Sequence, residues 1–289
     1  MGKAEILRFG NVGYRDVYNP TAPFVDNGIT YIAARTESRE VETDSQVWFF
    51  KEENDGVWYH DPVLPTFPLQ DPFIARVNHE LVFGGVRFPV GNRSWRTDFY
   101  RGKDISDLEK FAEGPLGMKD IRIIELPNGE VGVFTRPMGE IGGRGTIGFM
   151  TINSLDLLGN ADLMSADLLR GQFTEEEWGG VNDAYVLNDK ELGVLGHFAH
   201  FSEDENGNLL KHYYAMVFKI NYLTRKVSPI KIIAKRKDFP PGEAKRSPEL
   251  DDVVLSGGFV FLGDGNVELY VGLSDARVGK IVMKNPFLE

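Results

Sequence analysis

Apolar and polar positions alternate with a period of two along most of the chain, and runs with the 3.6-residue period of a helix are few. Only DISDLEKFAEG (104–114) and NADLMSADLLRG (160–171) have helical character, and both are short and flanked by strand-like segments and turn residues. The pattern predicts an all-β protein. Within it one unit recurs five times: YNPTAPFVDNGITYIAARTES (18–38), QDPFIARVNHELVFGGVRF (70–88), MKDIRIIELPNGEVGVFTRP (118–137), VNDAYVLNDKELGVLGHFAH (181–200) and LSGGFVFLGDGNVELYVGLS (255–274). Each opens on a polar or small residue, runs through a short apolar strand and turns on Asp, Asn or Gly. A second apolar strand then ends in a charged or polar group, which is the signature of a β-hairpin.

Further strands such as SQVWFFKEE, TDFYRGK, GTIGFMTI, YYAMVFKI and VGKIVMK follow the hairpins, giving each unit material for four strands. A repeat of roughly 40 to 50 residues with four strands is one propeller blade. The expected fold is a five-bladed β-propeller forming one domain over residues 1–289. Its blades run over 18–69, 70–117, 118–178, 179–249 and 250–287, with the N-terminal segment helping to close the ring. A two-sheet sandwich is the alternative, but it gives no reason for five equivalent heads, which fall at Asn19, Asp71, Asp120, Asp183 and Gly257. In a propeller the innermost strands line a central channel. Asn19, Asp71, Asp120 and Asp183 are therefore expected to converge with the strand-end residues Arg35, Glu37, Arg87, Arg136, His197 and Asp275 in one polar pocket.

Composition narrows what such a pocket can bind. The net charge of −11, with no stripe of Lys or Arg, excludes nucleic acid as a partner, so any bound anion must meet a local basic pocket. No run of about 18 apolar residues spans a bilayer, and MGKAEILRFG lacks the apolar stretch of a secretion signal; the expected location is cytoplasmic, with no membrane partner. The absence of cysteine excludes disulfides and thiolate metal sites. His197 and His200 in GHFAHF are three apart, which on a strand places them on opposite faces, so no metal is expected. GRGTIG (143–148) matches the dinucleotide fingerprint in letters but leads into a strand rather than a helix, and it is set aside.

Two readings stay open for the remaining motifs. Asp71-Pro72 either starts a strand, with proline where no ladder N–H is needed, or brings an acid to the site; Asn19-Pro20 repeats it in the first unit. Arg35, Arg87 and Arg136 are either solvated strand ends or, as a set, guanidinium forks for a phosphate or a sugar. Trp95 and Tyr185 lie near these segments and have faces that can stack on a sugar.

These heads and strand ends resemble those of the five-bladed propeller β-mannoside phosphorylases (glycoside hydrolase family 130), and more closely the related β-1,2-mannan mannosyltransferase/phosphorylases (glycosyltransferase family 108). The resemblance runs from Asn19 to about Met283 as a series of short motifs. In the phosphorylases an Asp-Pro at the second blade carries the proton donor, which implies that role for Asp71. A Lys-Asp head ending in Arg-Pro resembles Lys119-Asp120 and Arg136-Pro137, the histidine closing the fourth hairpin resembles His197, and Gly-Ala-Ala-Asp resembles GLSD, residues 272–275, which implies that Asp275 accepts from sugar hydroxyls. The phosphorylases follow Asp-Pro with arginine, where this chain has Phe73, and their proline-rich fourth head is GGVNDAY here; both departures favour the mannosyltransferase/phosphorylase relatives.

The activity implied is inverting phosphorolysis of β-mannosides, in particular β-1,2-linked mannooligosaccharides, to mannose 1-phosphate, or mannosyl transfer in reverse. Asn19, Arg35, Glu37, Asp120, Asp183, Tyr185 and Asp275 would bind sugar, and Arg87, Lys119, Arg136 and His197 phosphate. Inorganic phosphate serves as co-substrate and no cofactor is implied. A hydrolase on the same propeller is the runner-up: it needs a base to activate water, which Asn19 at the first head cannot be and which Glu37 or Asp183 would have to supply. A non-catalytic sugar-binding propeller is the third reading.

Overall fold

The computed structural model describes residues 2–288. Strands dominate, and they form sheets of eight, four, four and six strands among the described residues. Each hairpin foreseen from the repeat opens an antiparallel meander. We label the first strand of each β1 (Arg15–Pro20), β2 (Gln70–Val77), β3 (Arg122–Glu125), β4 (Trp178–Val186) and β5 (Asp252–Phe261). β2, for instance, continues through Glu80–Val90 and Ser94–Gly102 to Glu109–Glu113. The eight-stranded sheet contains two such meanders, joined by a two-residue parallel pairing of His212 with Asp252 and Tyr213 with Val253. The outer strand of the last meander comes from the start of the chain: Glu5–Ile6 pairs antiparallel with Arg277–Lys284. Neither helical stretch forms an α-helix. Asp104 caps the single 3-10 turn Ile105–Asp107, after which the apolar alternation of residues 109–113 wins and makes a strand; 160–171 gives the 3-10 turn Leu163–Ser165 and the short strand Asp167–Leu168.

Apolar faces of consecutive meanders meet in five buried clusters. Phe49 and Phe67 of the first pack with Phe83 and Tyr100 of the second, and Phe73 and Phe99 of the second with Ile123 and Val133 of the third. Phe134 of the third meets Val194 and Phe218 of the fourth, Leu195 and Val217 of the fourth meet Leu269 and Ile281 of the fifth, and Tyr270 and Val278 of the fifth return to Ile32 and Phe50 of the first. Neighbour relations thus run in a cycle, and each sheet buries both faces. The inner strands follow the same order: β1 contacts β2, β2 contacts β3, β3 contacts β4, β4 contacts β5, and β5 contacts β1.

A common irregularity places polar groups at the inner edge. Strand pairing slips by a residue or two between Tyr18 and Pro20, between Gln70 and Phe73, between Val181 and Asp183, and between Ser256 and Gly258. Asn19 (φ 46°) and Asp71 (φ 48°) sit in these bulges, and Asp120 (φ 59°) precedes β3, all three in the left-handed region that Asn and Asp tolerate better than other side chains. The head residues are therefore Asn or Asp for a backbone reason as well as a chemical one.

The return contact between fifth and first meanders is close. A Cβ at Gly272 would lie 1.9 Å from Asn19 Oδ1 and 2.7 Å from the Asn19 backbone nitrogen. Gly272→Ala is expected to lower stability by about 1–3 kcal/mol, the range for forcing extra volume into a packed interior. Urea unfolding of the two proteins checks this, and an unchanged midpoint would show that the first and last meanders are not held at this spacing.

Candidate functional site

The inner ends of the meanders enclose a cavity of ≈160 Å³ lined by Asn19, Arg35, Asp71, Lys119, Asp120, His197 and Asp275 from the sequence-derived set. Glu42, Gln70, Lys211, Tyr213 and Arg246 complete its polar wall. Asp71 is held through one oxygen only. Its Oδ1 accepts from Asn19 Nδ2 at 2.8 Å and from Arg35 Nη1 at 3.3 Å, while Oδ2 makes no hydrogen bond with the described residues. Arg35 lies over the Tyr18 ring at 4.9 Å and donates through Nε (2.9 Å) and Nη2 (2.5 Å) to Oε2 of Glu37, which is fully buried behind the cavity wall.

On the other side, Arg136 Nη1 donates to Asp120 Oδ2 at 2.7 Å and Arg136 Nε to the Gly179 carbonyl at 3.0 Å. Burial opposes ionisation of Asp120, but Arg136, aided by Lys119, outweighs it and holds the carboxyl well below the usual range. His197 Nδ1 meets Asn182 Oδ1 at 2.9 Å, an oxygen that also lies 3.2 Å from the Ser256 hydroxyl, so Nδ1 carries the proton and Nε2 is left as an acceptor. Burial draws the His197 pKa down to about 3 in spite of Asp120 nearby. Its ring stacks on Tyr213 with centroids 5.4 Å apart. The close fit needs glycine at position 180, where a Cβ would meet His197 at 2.9 Å and Arg136 at 3.0 Å.

Lys119 and Asp275 are the uncommitted charges. Neither makes a hydrogen bond or ion pair with the described residues, and both line the cavity. Burial raises the Asp275 pKa; Arg35 partly offsets this and Asp71 adds to it. Lys211 and Arg246 share Glu249, at 2.6 and 3.1 Å.

Five sequence-derived residues are not in the cavity wall: Glu37, already placed behind it, and Arg87, Arg136, Asp183 and Tyr185. Arg87 instead donates to Asp98 Oδ2 at 3.1 Å, and with Arg96 and Lys110 it surrounds that fully buried carboxylate. Arg136 stands behind Asp120 as its counter-ion. Asp183 is not the fourth head: the extra residue of the β4 bulge is Asn182, so Asn182 turns inward to His197 and Asp183 turns away. Asp183 Oδ2 accepts from the Tyr185 hydroxyl at 2.5 Å, and that hydroxyl in turn accepts from the Phe259 N–H at 2.6 Å. Asp183 lines a separate cavity of ≈150 Å³ with Phe24, Phe73 and Ile74. Between the two lies a void of only ≈10 Å³, bordered by Asp71, Arg122 and Asn182. Arg122 borders this void, stacked over Phe73 at 4.9 Å and donating to the Asn182 carbonyl at 3.0 Å. Trp95 donates to the Gly117 carbonyl at 3.0 Å outside the site, and His200 stacks on His212. Among the described residues no group of three or more His, Asp or Glu is arranged to hold a metal ion, and no helix is long and apolar enough to cross a membrane.

Tyr213 and Lys211 were missed because they belong to a third strand, outside the hairpins, and Arg246 because it lies in the segment between the fourth and fifth meanders. For Tyr213 a signal existed: in YYAMVFKI it begins the apolar alternation that follows the His197 strand.

The family model described as "Protein of unknown function (DUF1861)" matches residues 1–289. The chain belongs to the DUF1861 family. Among solved structures, this DUF1861 protein is 36% identical to MPT-4, a mannose phosphorylase from Leishmania mexicana in complex with phosphate ion, with a TM-score of 0.90 over 98% of this chain and 88% of that one. It is 33% identical to MPT-1, a GDP-Man-dependent mannosyltransferase from Leishmania mexicana, with a TM-score of 0.89 over 99% and 90% of the two chains. The β-1,2-mannobiose phosphorylase from Listeria innocua, in complex with β-1,2-mannobiose, shares the fold at 14% identity, with a TM-score of 0.64 over 97% and 90%. No curated protein matches.

Two pH effects follow from the buried groups. The Asp183 carboxyl is pushed up to about 6, chiefly by burial, against the opposing pull of the Tyr185 hydroxyl. A folded-state pKa above the unfolded value of about 3.9 gives stability that is complete below about pH 4 and lost as pH rises through 6. Asp183→Asn removes the titration, so its denaturation midpoint should fall less than the parent's between pH 4 and pH 7; parallel curves would refute the assignment. His197 has the opposite sign. Its depressed pKa means the unfolded chain takes the proton first, so stability falls as pH drops below about 6.5. Imidazole NMR should show His197 neutral at pH 5, and a charged ring at that pH would contradict the burial argument.

Proposed function

We propose that the protein is an inverting β-mannoside phosphorylase, working on β-1,2-linked mannooligosaccharides with inorganic phosphate to release mannose 1-phosphate, and able to transfer mannose in reverse. The observation that carries this is the state of Asp71: one carboxylate oxygen is fixed by Asn19 and Arg35, and the other is free in a cavity that also holds the uncommitted Lys119 and Asp275. The phosphate-bound mannose phosphorylase and the mannosyltransferase among its solved relatives support the reading. Their difference in donor leaves transfer from a nucleotide sugar as the alternative use of the same pocket.

In phosphorolysis a phosphate oxygen forms the new bond to the anomeric carbon while the glycosidic C–O bond breaks. The departing oxygen needs a proton, and phosphate needs no base to become a nucleophile. Asp71 Oδ2 supplies that proton, directly or by way of a sugar hydroxyl. Lys119, Lys211 and Arg246 replace Arg87 and Arg136 as the cationic wall for phosphate, because they line the cavity whereas the two arginines lie outside its wall on Asp98 and Asp120. A neutral His197 offers Nε2 as an acceptor rather than a charge. Asp275 and Asp120 receive mannose hydroxyls, and Tyr213 takes the stacking role that Tyr185 was expected to play.

The cyclic order of the five clusters, and the N-terminal strand pairing into the last meander, support a single-domain, five-bladed β-propeller with blades near 18–69, 70–117, 118–178, 179–249 and 250–287. The acidic net charge disfavours a nucleic-acid partner, and the proposed chemistry calls for no cofactor beyond phosphate.

The test is incubation with β-1,2-mannobiose, with and without inorganic phosphate. Phosphate-dependent formation of mannose 1-phosphate is expected, with Asp71→Asn lowering turnover by about 10²–10⁴-fold, the range for a lost general acid. Free mannose released at a rate indifferent to phosphate would make the protein a hydrolase. No turnover with phosphate or with sugar nucleotides would leave a sugar-binding protein.

A further inference from the structure

The segment 235–251, between Lys231–Ala234 and β5, belongs to none of the five hairpins, yet it is fastened into the site. The Lys245 backbone N–H donates to the Ser274 carbonyl at 2.9 Å, and Arg236 Nε to the Ser274 hydroxyl at 3.1 Å. Ser274 and Asp275 are both left-handed (φ 53° and 51°), so the segment clasps the turn that aims Asp275 into the cavity.

Its deepest anchor is the Lys245 ammonium. With a side chain only 4% exposed, it pairs with Glu37 Oε1 and lies 3.3 Å from the Tyr18 hydroxyl. The other oxygen of Glu37 accepts from Arg35 Nε and Nη2 and from the Ser45 hydroxyl, and Arg35 Nη1 reaches Asp71 at 3.3 Å. One chain of charges therefore runs from Lys245 through Glu37 and Arg35 to Asp71, linking the segment 235–251 to the first and second meanders.

Each oxygen of Glu37 has its own cation. Without Lys245, Oε1 would be left buried and unpaired, a costly state that relaxes by drawing the planar guanidinium of Arg35 across both carboxylate oxygens. The 3.3 Å contact from Arg35 to Asp71 is the longest link in the chain and the one that gives. We propose that Lys245 is a positioning residue: by occupying one oxygen of Glu37 it keeps Arg35 on Asp71, and it thereby ties the seating of segment 235–251 to the geometry of the acid. This rests on the reading of Asp71 as proton donor.

The experiment compares phosphorolysis of β-1,2-mannobiose with that of 4-nitrophenyl β-mannoside, whose leaving group departs without a proton. Lys245→Met should lower kcat on mannobiose by about 10–100-fold, the scale of a 1 Å misplacement, with KM changed less than 3-fold, and should lose little on the nitrophenyl substrate. Lys245→Arg, which keeps the charge, should recover most of the mannobiose rate. A double variant, Glu37→Gln with Lys245→Met, removes the carboxylate that would draw Arg35 away; it keeps the fold should the single variant lose it, and should recover most of the mannobiose rate. In Lys245→Met, equal losses on the two substrates, a change confined to KM, or full activity would each overturn the proposal, as would a double variant that stays selectively slow on mannobiose. Asp71→Asn run alongside separates the two ideas, because a wild-type mannobiose rate in that variant defeats the proton-donor reading itself.

Discussion

The slipped pairing at the head of the inner strands is the constraint on which the site depends. A regular strand would point alternate side chains into the apolar layers between meanders, and charged groups there would be prohibitive. The extra residue lets the chain leave the ladder for one position and present a side chain inward, toward the cavity. Asn19 and Asp71 satisfy both demands of that position: they accept a left-handed backbone, and their short polar side chains pair with each other, Asp71 also accepting from Arg35. Pro20 and Pro72 follow because the next residue has no ladder N–H to supply.

The same confinement governs the charges. Buried guanidinium groups persist here only with a dedicated carboxylate or carbonyl: Arg35 with Glu37, Arg136 with Asp120, and Arg122 with the Asn182 carbonyl. A cation committed in this way shapes its neighbour but has little capacity left for a ligand. The groups able to meet a substrate are those that fold-level pairing leaves over. Lys119 and Asp275 are the clearest, and Asp71 keeps one oxygen in the same condition.

The period-two pattern and the five hairpins were legible in the sequence, because a strand's burial is written in its alternation and a tight turn in its Asn, Asp and Gly. Residue-level placement was less so. The one-residue shift from Asp183 to Asn182 could not be read, since both residues are polar and adjacent and only the bulge decides which faces inward. Arg87 and Arg136 matched Arg35 in position, but their partners lie elsewhere: Asp98 is on the third strand of its meander, and Asp120 precedes β3. Arg246 and Lys245 lay beyond any repeat argument, because an insertion has no equivalent against which to be aligned.

That division bears on how one scaffold serves different donors. The repeated hairpins supply Asn19, Arg35, Asp71, Asp120 and His197, a set largely locked by mutual hydrogen bonds and therefore resistant to piecemeal change. Lys211, Tyr213 and Arg246 come from a third strand and an insertion, and they line the same cavity. On the function proposed above, exchanging Lys211, Tyr213 or Arg246 would change which anion meets Asp71 while the bulges that carry Asn19 and Asp71 stay as they are. Lys245, in the same segment as Arg246, is the exception, because a change there would also reach the acid through Glu37 and Arg35.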